Sequence, residues 1–287
     1  MPDHNRSRIY QSNRVLPENY LQNGYFDEHG VLRYCIFKED AIAVARILNL
    51  HNTTATGLRN FYNRLQAIEY YLQQTNDFAA VQVKLLSFGN LVEYATARAA
   101  VPEVFRDFIN KNLLIAQENN ESFKGFLEHY KSVLAYAKTS DFFSPTDWLS
   151  GRGLPEGYLA GGYFNREGYL KKEVLVDWPQ ALINVFARGR KPMTMTALRR
   201  FYNKLKALDH KLKYQKDIIQ LLSDIYSFER DAVYAASREV VPGVFIGFMS
   251  KNVEQAALSP KYFNAFVEHY QSIVAYGKGQ LSEGGNR

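Results

Sequence analysis

The segment Phe126-Leu127-Glu128-His129-Tyr130-Lys131-Ser132-Val133-Leu134-Ala135-Tyr136-Ala137-Lys138 returns 140 residues later as Phe266-Val267-Glu268-His269-Tyr270-Gln271-Ser272-Ile273-Val274-Ala275-Tyr276-Gly277-Lys278. Most positions are identical, and most of the others exchange one apolar residue for another. The same shift pairs Thr56, Leu58, Arg59, Phe61, Tyr62 and Asn63 with Thr196, Leu198, Arg199, Phe201, Tyr202 and Asn203. It also pairs Tyr94-Ala95-x-x-Arg98 with Tyr234-Ala235-x-x-Arg238, and Val101-Pro102 through Asn112 with Val241-Pro242 through Asn252. Chance does not produce this, so the chain is one module written twice. Whatever fold satisfies one half must satisfy the other.

With 287 residues, two domains are expected, residues 1–140 and 141–287, each long enough to bury a core of its own. A hydrophobic content of 46% with 14% aromatics marks globular rather than disordered sequence. A lone cysteine, Cys35, excludes an intramolecular disulfide and fits a reducing compartment. The polar stretch from Met1 to Asn13 has no apolar leader segment, and no apolar run approaches membrane-spanning length. A cytoplasmic protein without membrane contact is the expectation. The net charge of +6 is uneven: residues 1–140 carry 15 basic and 14 acidic side chains, and the remainder carry 20 and 15. This balance is compatible with a polyanionic partner, and the second half would bear more of it.

Taken in order, the chain begins with a polar arm. Leu16-Pro17-Glu18-x-Tyr20-Leu21-x-x-Gly24-Tyr25-Phe26 then matches Leu154-Pro155-Glu156-x-Tyr158-Leu159-x-x-Gly162-Tyr163-Phe164 at a shift of 138. This motif is rich in Pro, Gly and Tyr and reads as a non-helical, turn-bearing opening. The change of shift from 138 to 140 locates a two-residue loop difference before Thr56. Val31 to Phe37 is open to a short strand. Beyond it, helical spacing takes over: a helix over Glu39 to Leu50, then one from near Thr56 with Leu58, Phe61, Tyr62, Leu65, Ile68 and Leu72 on one face. Thr54 or Thr56, with Thr194 or Thr196, suits the N-cap. A helix from Phe78 to Arg98 follows, with Leu85, Phe88, Leu91, Val92 and Ala95 in its stripe. Pro102 and Pro242 stop it and fit the first turn of the next helix, and the repeated segment above is the last. Ser140 to Gly153 reads as the linker. The fold class is therefore all-α, two tandem bundles of about five helices each.

These residues resemble the small subunit of type III CRISPR–Cas effector complexes. The resemblance lies in the Tyr25-Phe26-Asp27-x-x-Gly30 opening, the helix start Thr54-x-x-x-Leu58-Arg59-x-Phe61-Tyr62-Asn63, the Tyr94-Ala95-x-x-Arg98 helix end, and the final helix with Phe126, Tyr130 and Val133 through Tyr136. The second half repeats each of them, and the tandem copy departs from a family usually built as a single module. The resemblance implies a non-catalytic, helical, RNA-binding subunit that lines the channel holding guide RNA paired to target RNA. Its neighbours would be the repeated backbone subunits and the large polymerase-like subunit, in an antiviral defence particle. Sequence is then read by base pairing, so the protein supplies backbone contacts through Arg and Lys and requires no cofactor. Candidate phosphate-contacting residues are Arg59, Arg64, Arg98, Lys111, Arg199, Lys204, Arg230, Arg238 and Lys251; most are basic in both halves. Lys138 and Lys278 are likewise kept. Lys206, Lys211, Lys213 and Lys216 add a basic run to the second half alone, either a solvated face or a phosphate-contacting one.

Other readings are weaker. Each such residue can instead cover the core with its aliphatic stem, which would leave a helical scaffold acting through protein contacts alone. His129 and His269 each follow a glutamate in mid-helix, where neighbours point apart, so packing accounts for them better than metal binding. Arg46-Ile47-Leu48-Asn49-Leu50-His51 fits the loose Arg-x-x-x-x-His pattern of HEPN-type ribonucleases, which cleave RNA without metal. The second half has Arg188, Arg190 and Lys191 there and no histidine. No catalytic site is expected.

Overall fold

A computed structural model describes residues 15–139, 153–188, 191–215 and 217–284. They fall into two compact units, one ending at Lys138 and the other beginning at Thr139. The expected linker lies outside the described residues except for Gly153. The first unit contains α1 (Tyr34–Phe37), α2 (Glu39–Leu50), α3 (Ala55–Thr75), α4 (Phe78–Ala97), α5 (Glu103–Ala116) and α6 (Asn120–Thr139). In the second, a π turn at Glu173–Asp177 runs into α7 (Trp178–Phe186). There follow α8 (Met195–Gln215), a short 3-10 turn at Ile219–Leu221, α9 (Leu222–Ser237), α10 (Val244–Ala256) and α11 (Pro260–Gly277). Among the described residues, extended pairing is limited to isolated bridges, and the fold is all-α.

Local chemistry sets the helix ends. The Thr54 hydroxyl accepts the Gly57 amide at 3.0 Å and the Asp77 carboxylate accepts the Ala80 amide at 3.0 Å, each satisfying a first-turn N–H that has no helical partner. Thr194 does the same for Ala197 at 3.2 Å. Pro102 stands just outside α5 rather than in its first turn. The strand considered over Val31 to Phe37 does not form. Asp27 accepts the amides of His29 and Val31 and folds the chain back on itself, leaving only a bridge from Phe26 to Leu32 before α1 begins. With no second strand alongside, ladder hydrogen bonds have nowhere to go. The buried Ala41, Val44, Ala45 and Leu48 of α2 match Pro179, Leu182, Ile183 and Phe186 of α7 at the shift of 138, so the two-residue difference between the modules lies between Phe186 and Thr194.

Of the stripe expected on α3, Leu58, Tyr62, Leu65, Ile68 and Leu72 are buried, and Phe61 is half-buried beside Phe88 and Phe105. On α4 the buried face is Val81, Leu85, Phe88 and Val92. The last helix of each module passes through the core. Phe126 lies 6.3 Å from Phe108 and 5.9 Å from Tyr130, while Phe108 and Tyr130 are 5.4 Å apart, all centroid to centroid. Phe266, Phe248 and Tyr270 reproduce the arrangement at 6.4, 6.0 and 5.8 Å. Each such ring contributes on the order of 2–3 kcal/mol through area removed from water. Tyr130 and Tyr270 also donate hydroxyl hydrogens to the carbonyls of Leu58 and Leu198, pinning the last helix to α3 and α8. Tyr136 is buried, whereas Tyr276 is only half-buried.

A buried polar chain ties the opening motif to this core. His129 is wholly buried, and its Nδ1 lies 2.8 Å from the Ile36 carbonyl, which can only accept. Nδ1 therefore carries the proton, and Nε2 accepts from the Tyr20 hydroxyl at 2.7 Å. That hydroxyl accepts from Asn112 Nδ2 at 2.8 Å, and Asn112 Oδ1 accepts from Tyr25 at 2.6 Å. The second module repeats the chain through His269, Val174, Tyr158, Asn252 and Tyr163. Both histidines are thus engaged at both nitrogens, and burial lowers each pKa to about 4, outweighing the backbone hydrogen bond that raises it.

Candidate nucleic-acid interface

The Tyr-Ala-x-x-Arg motif closes α4 and α9. Arg98 and Arg238 are the residues following each helix, and the next residues, Ala99 and Glu239, turn with positive φ. One helical turn separates arginine from tyrosine, so each guanidinium lies over the ring below it. The distances are 5.6 Å from Arg98 to the Tyr94 centroid and 5.7 Å from Arg238 to Tyr234. Arg98 Nη1 also donates to the Tyr94 hydroxyl at 3.1 Å. Tyr94 and Tyr234 are 59% and 37% exposed. The stems therefore do not cover the core; both modules hold an arginine against a tyrosine in solvent.

The other candidates separate. Arg59 and Arg64 on α3 are exposed and meet no carboxylate among the described residues. Lys111 is exposed, with its ammonium 5.8 Å from the Tyr20 ring, and Lys251 is half-buried. The counterparts of Arg59 and Arg64 are engaged: Arg199 pairs with Glu283 at 2.8 Å, and Lys204 pairs with Asp231 at 2.5 Å while donating to Ser227 at 2.7 Å. Arg230 does not suit a phosphate contact. Its side chain is 5% exposed and its guanidinium faces Asp231 at 3.4 Å, because it follows the buried face of α9. The basic run is likewise neutralised: Lys206 and Lys213 converge on Asp209, and Lys211 pairs with Asp224. Lys216 lies outside the described residues. Part of the larger positive balance of the second half is thus met by its own carboxylates, at Arg199, Lys204, Lys206, Lys211 and Lys213, while Arg200 and Arg238 stay exposed.

In the first module, Arg64 and Lys84 face a cleft of about 840 Å³ between α3 and α4. Its walls include Tyr70, Tyr71, Ile68, Phe88 and Leu91, and no lining residue is acidic. Lys84 holds its ammonium 4.3 Å from the Tyr71 ring centroid, and Tyr70 is 64% exposed. Reasoning from charges kept in both halves missed Lys84, Tyr70 and Tyr71, because their counterparts at a shift of 140 are Asp224, His210 and Lys211. Arg46 lies within α2 and His51 is the residue closing it, both half-buried. Among the described residues, no group of three or more His, Cys, Asp or Glu is placed to hold a metal ion, and no helix is long and apolar enough to cross a membrane.

Against known families, the Csm2 Type III-A family matches residues 34–141 and again residues 173–282. The chain belongs to the Csm2 Type III-A family. This Csm2 chain is a type III CRISPR small subunit whose family module occurs twice in tandem. No curated protein and no solved structure matches it. Both matched regions begin after the opening motif, so the Tyr20–Tyr25 and Tyr158–Tyr163 segments lie outside the matched residues. They are nonetheless bound into each core through Asn112, His129, Asn252 and His269.

Proposed function

We propose that this Csm2 chain is a non-catalytic, RNA-facing subunit of a type III-A effector complex, presenting one contact surface per module to guide–target RNA. The observation that carries the reading is the exposed arginine-on-tyrosine pair, Arg98 with Tyr94 and Arg238 with Tyr234, built at the same helix end in both modules. A guanidinium held over an aromatic ring is pre-organised, so less rotamer freedom is lost when it meets a phosphate. Its donors read backbone and not base identity, which suits a particle whose specificity comes from pairing. Two surfaces on one polypeptide raise the effective concentration of the second contact once the first is made. Backbone subunits and the large polymerase-like subunit would be its protein neighbours.

The test is to assemble the complex with Arg98→Ala and Arg238→Ala together and to measure target-RNA affinity at two salt concentrations. Loss of two phosphate contacts should weaken binding roughly tenfold and flatten the log–log salt slope by about 2. Each single change should do less. Affinity and slope matching the unaltered complex would make these arginines structural and favour a scaffold that works through protein contacts alone.

A further inference from the structure

The two modules differ where α3 meets α4 and α8 meets α9. In the second module the groove is bridged twice: Lys204 on α8 reaches Asp231 and Ser227 on α9, and Lys211 reaches Asp224 at 3.2 Å. The same positions in the first module are Arg64 opposite Leu91, and Tyr71 opposite Lys84. Neither carboxylate is present, and in place of an ion pair the Lys84 ammonium lies 4.3 Å from the Tyr71 ring centroid across the groove. Arg64 meets no carboxylate among the described residues, and the cleft stays open with two cations, two tyrosines and an apolar floor. One duplicated surface has thus become a self-neutralised seam in one copy and a basic aromatic cleft in the other.

We propose that the α3–α4 cleft of the first module seats single-stranded RNA, with Arg64 and Lys84 on its phosphates and a base against Tyr70 or Tyr71. The inference rests on the RNA-facing reading above and makes it asymmetric: one module holds an unpaired nucleotide segment and the other only touches backbone. The chemistry fits a nucleotide better than an acidic peptide. Every base has a face for a tyrosine, whereas carboxylate side chains would meet the two cations and leave the aromatic wall unused. Stacking of this kind tolerates any base, so the cleft should show little sequence preference.

The experiment uses the full chain and a fluorescein-labelled eight-nucleotide mixed-sequence RNA, followed by anisotropy at low and moderate salt. The triple variant Tyr71→Lys, Lys84→Asp, Leu91→Asp transplants into the first module the ion pairs that the second already carries. Thermal melting followed by circular dichroism shows whether it is folded. Tyr70→Ala, a truncation of an exposed ring, provides a second variant with little bearing on stability. Closing the cleft should weaken single-strand binding at least about tenfold, and Tyr70→Ala should weaken it severalfold. Lys124→Ala, which removes a charge paired with Glu121 elsewhere on the module, should stay within about twofold. Salt-sensitive RNA binding that neither variant changes would overturn the cleft and leave the RNA-facing reading standing. No RNA binding even at low salt would overturn both. Equal binding of a labelled glutamate-rich peptide, lost in the same variants, would make the cleft a protein-docking site instead.

Discussion

His129 and His269 show what a single residue contributes in this fold. An unfolded imidazole binds its proton near pH 6.5, whereas these two resist protonation until about pH 4 because burial disfavours the charged ring. Between those values the unfolded chain binds more protons than the folded one. The stability each neutral histidine provides is therefore complete above pH 6.5 and is lost progressively as pH falls toward 4, by about 3 kcal/mol per module. Urea unfolding at pH 7 and pH 4.5 should reveal the loss, and replacing both histidines with glutamine should shrink the pH dependence. Tyr20→Phe tests the same chain from its other end. It leaves His129 Nε2 without a donor and Asn112 Nδ2 with only the Phe108 carbonyl, so a loss of roughly 1–3 kcal/mol is expected by urea titration. An unchanged midpoint would mean that water or rearrangement replaces the hydroxyl.

At the scale of elements, the last helix of each module organises the packing, and its tolerance can be measured. Phe126→Ala empties a fully buried site against Phe108 and Tyr130 and should lower stability by roughly 3–5 kcal/mol; a loss under about 1 kcal/mol would show that α6 does not pack this way. Gly125 gives a less obvious expectation. In an open helix interior, Gly→Ala stabilises by up to about 1 kcal/mol. Here a Cβ would stand 2.8 Å from Tyr25 Cγ, near the fixed base of a side chain held by Asn112, so Gly125→Ala should destabilise instead. The second module already carries Ala265 at the matching position. Swapping the pair, Gly125→Ala against Ala265→Gly, should lower the melting temperature in both directions, the second by ordinary helix propensity. The period of α3 and α6 was legible because a helix with one wet face must alternate polar and apolar residues every turn. The α1 turn was not, because the Asp27 side chain overrode the β-tending residues around Val31.

For the whole molecule, each unit carries its own aromatic core and its own buried polar chain, so residues 15–139 expressed alone should melt cooperatively with a helical circular dichroism spectrum. A broad, non-cooperative transition would mean that the module needs its sibling. Duplication, fold class, helix order and family resemblance were open to inspection of the chain, because an internal copy exposes which apolar positions a core requires. The pairing of Arg98 and Arg238 with a tyrosine could be read on the same ground, since both copies kept the tyrosine one turn earlier. Tertiary structure alone decided which charges are free. Residue counting favours the second half, yet there Asp224 and Asp231 on α9 and Glu283 pair with Lys211, Lys204 and Arg199 on α8, while Arg64 and Lys84 face an open cleft. A side chain's charge is written in the sequence, but whether an opposite charge lies within a few ångströms depends on which helix faces pack together.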